Sequence, residues 1–235
     1  MDGDVGDPEG GGGSGRAVER YGIDSVIHLA AYKSPGESTS KPQRYFANNV
    51  VRSTKLLERL NEARVGRLVV SWTCAVYGTP ERVPVGEDAP VHPESPYGES
   101  KAMTERVLGW YDRCLGLRSV SLRYFNAAGA WPDGSIGEDW TVTINLVPLL
   151  MKTALGRRGP LEVFGTDYPT PDGTANRDER AIGRPVPYEA VARRPGDPVA
   201  LYADTARAKE VLGWTDRLGL DEILASAWDV ALNAP

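Results

Sequence analysis

The chain has 235 residues, 41% hydrophobic and 25% charged, with a net charge of −5. That is enough chain for a sizeable core, and its balance offers no global field to nucleic acid or anionic lipid, so an anionic ligand would need a local arginine cluster. Cys74 and Cys114 make no disulfide framework, His28 and His92 lack metal-ligand spacing, and neither a membrane-length apolar run nor a hydrophobic signal core is present; these features predict a cytoplasmic protein without zinc.

The opening stretch, MDGDVGDPEGGGGSG, is acidic and glycine-rich. A phosphate-cradling glycine loop needs a buried strand before it and a helix directly after it. Only MDGD precedes Val5, so residues 1–15 read as a flexible connector. Arg16–Tyr21 reads as the end of a helix capped by Gly22. DSVIHLAA at 24–31 reads as a buried parallel strand, followed by a helix over 42–63. RLVVS at 67–71 is the second expected strand, Pro96 opens a helix through Tyr111, and RSVSLR at 118–123 is the third strand. Strand alternating with helix predicts βαβ crossovers and a parallel sheet, with ligands at the carboxyl ends of the strands.

Further on, 145–155 reads as helix, 161–165 as strand and 168–174 as a turn-rich loop. Asp204 is expected to cap a helix that Gly213 ends, and 220–232 reads as the last helix. The fold class is therefore α/β: a Rossmann-like parallel sheet flanked by helices over 16–130, with a smaller C-terminal α/β region over 131–235.

Three strand ends then carry the chemistry. AAYKSPGES follows the first, with two alanines that allow close approach of a flat ligand; SWTCAVYG follows the second, placing the Thr73 hydroxyl where the strand runs out; RYFNAAGA follows the third and carries Asn126. Between the second and third lies SPYGESK, in which Tyr97 and Lys101 stand four apart and so share one face of a helix. With ten tyrosines and six lysines in the chain, that spacing arises by chance roughly one time in four, so the motif needs its surroundings. A free phenol titrates near ~10; a neighbouring ammonium favours the phenolate, and a hydroxyl such as Thr73 shares a proton with a substrate alcohol. The set suits oxidation of an alcohol with hydride transfer to a nicotinamide.

VIHLAAYKSPGES, SWTCAVYG, SPYGESK, LRYFNAAGA, IGED, NLVP, VFGTDYPTPDGT and RRPGD, in this order from about Asp4 onward, resemble the UDP-glucose 4-epimerases of the extended short-chain dehydrogenase/reductase group. The resemblance implies an NAD-dependent isomerase of galactose metabolism, with Thr73, Tyr97 and Lys101 catalytic. It matches Asp4, Val5, Leu29, Ala30, Ala31, Lys33, Asn48, Ser71, Tyr97, Lys101 and Tyr124 to cofactor positions. Lys33, Thr73, Asn126, Asn145, Leu146, Arg177, Arg194 and Asp197 match positions around the UDP-sugar. It also implies a homodimer through the helix pair Val50–Ala63 and Tyr97–Cys114. The sugar stays open between UDP-glucose/galactose, N-acetylhexosamine and pentose forms. The related 4,6-dehydratases carry an Asp-Glu pair after the threonine, where this chain has Cys74 and Ala75, so dehydration is disfavoured.

Two departures from the pattern shape the remaining expectations. The family's first strand and GxxGxxG loop have no counterpart here, and after Asp178 the sequence jumps to a later part of the pattern. A chain lacking a central strand leaves neighbouring edges unpaired, which predicts weak NAD binding and little turnover. An inactive epimerase-derived chain is the alternative reading.

Overall fold

The computed structural model describes residues 13–139, 143, 145–166, 186–192 and 201–233. The chain packs as two units, the first comprising Asp2–Glu81 with Asp88–Phe125 and the second Arg82–Glu87 with Asn126–Pro235. Packing thus divides the chain before Asn126, where the sequence reading places the boundary after Ala130.

In the first unit a helix, α1 (Gly13–Tyr21), leads into strand β1 (Ser25–His28). Its start at Gly13 lies inside the expected connector, because glycine has too little helix propensity to signal it. Next come the short α2 (Pro35–Ser40) and α3 (Pro42–Tyr45), a π turn over Phe46–Arg52, and α4 (Ser53–Glu62). Strand β2 (Arg67–Thr73), α5 (Pro96–Leu115) and β3 (Arg118–Tyr124) complete it. The sheet is parallel in the order β1-β2-β3, with Ser25 opposite Arg67 and Arg67 opposite Arg118, as the strand–helix alternation predicts.

β2 is the middle strand. Leu68, Val70 and Trp72 alternate into a core with Leu57, Leu60, Ala102, Leu108 and Leu117. β1 differs from expectation. It ends at His28, and Ile27 is 69% exposed. A strand buried on both faces needs cover on both, and no described element covers Ile27. The helix expected over 42–63 is interrupted by the π turn, and α2 was not foreseen, because its composition, PGESTS, is that of a turn.

The second unit holds α6 (Leu146–Ala154), β4 (Leu161–Phe164), β5 (Tyr188–Val191), α7 (Ala206–Leu212) and α8 (Leu220–Asn233). β4 and β5 pair in parallel; β5 was not foreseen, since YEAV carries little strand signal. Leu150, Met151, Leu161, Val186, Leu224, Ala227 and Ala231 form its core. Gly213 closes α7 with φ 65°, as its capping signal predicts; the N-cap is Thr205 rather than the expected Asp204, which stands one residue earlier and accepts from the Ala206 amide at 2.9 Å. Arg82–Glu87 joins this unit through Val85, which bridges to Ala203. The loop expected over 168–174 lies outside the described residues. Among the described residues no helix is long and apolar enough to cross a membrane, and no cluster of His, Cys, Asp and Glu could hold a metal.

Candidate active site

Thr73 is the last residue of β2, in extended backbone (φ −146°, ψ 147°), and its hydroxyl accepts from the Ala75 amide at 3.1 Å. The chain then tightens into a 3-10 turn over Cys74–Val76. α5 begins beside this turn. Ser95 caps it by accepting from the Gly98 amide at 3.1 Å, and Pro96 takes the first turn, where a missing N–H costs nothing. A Cβ on Gly98 would stand 2.5 Å from the Ala75 carbonyl oxygen. Only a bare α-carbon lets the first turn of α5 rest on the turn after Thr73. That contact sets the Tyr97 phenol close to the Thr73 side chain.

Tyr97 and Lys101 are 7% and 6% exposed, one helical turn apart on the inward face of α5. The Lys101 ammonium lies 4.5 Å from the centre of the Trp72 ring and donates to the Ser71 carbonyl at 3.4 Å. No described carboxylate pairs with it. Burial therefore pulls its pKa from 10.5 to about 8, because the charged form is the one desolvation penalises. His28 at the end of β1 is held down to about 4, by burial first and the Lys101 charge second.

The expectation that Lys101 lowers the Tyr97 pKa is corrected here. Burial pushes the phenol above its ordinary value, and the Thr73 hydrogen bond is the opposing influence. Lys101, held at about 8, is already largely neutral where the raised phenol titrates, so desolvation of the phenolate dominates. Cys74 is buried, its thiol raised by desolvation and donating weakly to the Phe125 carbonyl at 3.8 Å, which leaves it unsuited to nucleophilic work.

The expected cofactor residues gather less tightly. Leu29, Ala30, Ala31 and Lys33 follow β1, with Leu29 70% exposed, Lys33 exposed and the two alanines half-buried. Ser71 is half-buried on β2, and Tyr124, at the end of β3, is exposed. Asn48 is buried in the π turn, donating to Asn49 Oδ1 at 3.1 Å and accepting from Arg52 at 3.4 Å.

Its neighbour Asn49, which sequence reasoning missed, joins two parts of the site. Asn49 Oδ1 accepts from the Tyr32 amide at 3.0 Å, while Nδ2 donates to the Tyr32 carbonyl and to Ser100 Oγ, both at 3.1 Å. The π turn places two successive asparagines inward, and such turns recur at functional sites. The signal was present as two adjacent amides on an otherwise amphipathic helix. Arg123 was missed as well: it ties Tyr77 (2.7 Å) and Glu105 (2.6 Å), joining the chain after the Thr73 turn to α5.

In the second unit Asn126 is exposed and Asn145 precedes α6. The Asn145 side chain donates to Glu138 at 2.7 Å, and Leu146 is partly exposed. Asp4, Val5, Arg177, Arg194 and Asp197 lie outside the described residues.

The residues around Thr73 fit a nicotinamide cofactor. Lys101 is a buried ammonium with three donors and one long hydrogen bond, which leaves donors for ribose hydroxyls, and Ala30 and Ala31 offer a surface without long side chains. The family model of the NAD dependent epimerase/dehydratase family matches residues 6–179.

The chain belongs to this epimerase/dehydratase family.

A curated UDP-glucose 4-epimerase from Streptococcus mutans is 39% identical over 255 aligned positions, covering 89% of this chain and 77% of the relative. That aligned span exceeds the 235 residues of the chain, so the relative carries stretches with no counterpart here. The structure of a UDP-glucose 4-epimerase from Brucella ovis in complex with NAD is 35% identical, with a TM-score of 0.88, covering 97% of this chain and 83% of that one. The Bifidobacterium longum enzyme, solved with NAD+ and UDP, is 33% identical at a TM-score of 0.88, covering 100% and 83%. This member of the family thus shares both sequence and α/β architecture with 4-epimerases.

Proposed function

We propose that the chain interconverts UDP-glucose and UDP-galactose, inverting C4 through a 4-keto sugar. The observation that carries this reading is the buried pair Tyr97 and Lys101, one turn apart on the inward face of α5 and beside Thr73 at the end of the central parallel strand, in a chain related to UDP-glucose 4-epimerases. Thr73 and Tyr97 hold the C4 hydroxyl; Tyr97 takes its proton and later returns it to the 4-keto oxygen. Lys101 orients the nicotinamide ribose. Bound NAD would supply the hydride acceptor and donor, and its cationic ring would favour the phenolate against the burial that raises the Tyr97 pKa.

Leu29, Ala30, Ala31, Lys33, Asn48, Ser71 and Tyr124 are the further residues of the first unit that would hold the cofactor, with Asp4 and Val5 at the adenine. Asn126, Asn145, Leu146, Arg177, Arg194 and Asp197 would serve the UDP-sugar, the arginines gripping diphosphate through their fixed fork of donors. Residues 16–130 are then the NAD-binding region and 131–235 the substrate region. Cys74 and Ala75 offer no acid or base for dehydration. The same reading gives a cytoplasmic homodimer through the helix pair Val50–Ala63 and Tyr97–Cys114, on which Val51 and Trp110 lie exposed.

The test is NAD+ calorimetry with the purified chain, together with turnover of UDP-galactose. Tyr97→Phe is expected to bind NAD+ normally and to lower kcat by about 10²–10⁴-fold, the usual contribution of a positioned acid/base. Undiminished turnover by Tyr97→Phe would remove Tyr97 from the mechanism. A second reading, an epimerase-derived chain without a competent cofactor site, is favoured by the exposure of Ile27 and Leu29 on either side of the β1 end. Absence of NAD+ binding by the unsubstituted chain would select it.

A further inference from the structure

We propose that Ser38 is a positioning residue for Tyr97, holding the catalytic tyrosine's backbone from outside its own helix. The inference rests on Tyr97 being the catalytic phenol.

The first amides of a helix have no intrahelical acceptor. In α5, Pro96 has no N–H, Ser95 Oγ accepts from Gly98 and the Ser95 carbonyl accepts from Glu99 at 2.9 Å. The Tyr97 amide remains, and it is buried. Its acceptor is Ser38 Oγ at 3.1 Å, contributed by α2. Ser38 is fully buried, and its own proton goes to the Pro35 carbonyl at 2.6 Å. The hydroxyl is therefore locked in one rotor, with a lone pair left for Tyr97.

α2 is itself braced. Ser34 Oγ accepts from the Glu37 amide at 3.2 Å; Glu37 accepts from Tyr45 Oη at 2.9 Å and Arg44 at 2.7 Å; and Tyr45 Oη accepts from the Ser34 amide at 3.2 Å. The Tyr45 ring then meets the Tyr97 ring edge-on, 6.2 Å between centres and 74° between planes. One short segment thus grips Tyr97 twice, by its main chain and by its ring. Thr39 and Ser40 make similar local bonds to Gly36 and Glu37 carbonyls, at 2.8 and 3.0 Å, but both are exposed. They isolate what Ser38 does beyond stabilising α2.

The experiment is a double-mutant cycle in the full chain, measuring UDP-galactose turnover per bound NAD so that unfolded molecules are not counted. Ser38→Ala is expected to lower kcat by about 10- to 100-fold, the effect of a misplaced reacting group, with KM changed less than about twofold. Ser40→Ala should leave both unchanged. On the Tyr97→Phe background Ser38→Ala should cost nothing further, because its effect passes through the phenol. Ser38→Cys, which keeps the volume and a weak acceptor, should fall between serine and alanine, and it carries the same cycle if Ser38→Ala yields no folded protein. An unchanged kcat in Ser38→Ala, or the same fold-loss on both backgrounds, overturns the proposal while leaving Tyr97 in place. Turnover that survives Tyr97→Phe overturns the catalytic reading itself.

Discussion

The ends of β1 and β2 lie side by side in one sheet and were expected to serve one site, yet they are built differently. Around Thr73 most of the large side chains are buried, Val70, Trp72, Val76, Tyr77, Tyr97 and Lys101 among them, while its β3 partner Tyr124 is exposed. Around Ala30 the chain is open, with Ile27 and Leu29 among the most exposed apolar residues described. Among the described residues β2 has a paired strand on each edge, whereas β1 has one. The difference teaches that the proposed acid/base residues are preorganised by the chain's own packing. The loop after β1, proposed to meet the cofactor, is tied down by the hydrogen bonds of Asn49 to Tyr32, and its apolar side chains stay exposed.

After loss of the phenol, the largest effect should come from breaking the buried side of this comparison. Leu68 is 2% exposed near the start of β2, the middle strand, and Leu68→Ala should cost about 2–5 kcal/mol of unfolding free energy, as cavities in packed cores do. Urea unfolding of the purified chain measures it; a cost below about 1 kcal/mol would mean the core around β2 is loosely packed.

Lys101 sharpens the comparison through pH. Its folded pKa, about 8, lies below the ordinary 10.5, so between those values the unfolded chain binds more protons than the folded one. Stability from this group therefore rises as pH climbs from about 8 to 10.5 and is lowest where both forms are charged. The shift corresponds to about 3 kcal/mol. Lys101→Met should flatten that slope and raise the unfolding midpoint at neutral pH while abolishing turnover. A variant that loses activity and stability together would show instead that the ammonium stabilises the fold through Trp72.

Much of the first unit was legible because its signals are local. β2 and β3 follow from apolar runs, and α5 follows from Pro96 at its start, although it runs to Leu115, past the expected Tyr111. Tyr97, Lys101 and Thr73 converge because helix period and strand termination are properties of short stretches. What escaped depends on distant partners. Nothing near Ser38 announces that its hydroxyl meets Tyr97. The spacing of Tyr97 and Lys101 reveals neither that Trp72, from another element, lies under the ammonium nor that burial raises the phenol. α2 was hidden by turn-forming residues, and the exposure of Ile27 by a strand composition identical to that of a buried one.

The smallest expected effect tests the open side. Leu29 is so exposed that Leu29→Ala should change the stability of the NAD-free chain by less than about 0.5 kcal/mol, the usual range for surface substitutions. If Leu29 lies against the cofactor, the same change must weaken the stabilisation that NAD+ confers, because a ligand raises stability in proportion to the logarithm of its saturation. Thermal unfolding with and without NAD+ separates the two quantities. A smaller NAD+-induced shift with an unchanged baseline places Leu29 at the cofactor. An unchanged shift moves the cofactor away from β1 and leaves Lys101 and Ser71 as its nearest supports. A fallen baseline would mean that the apolar surface at the end of β1 is already covered in solution, and the contrast between the two strand ends would then lie in what each is packed against.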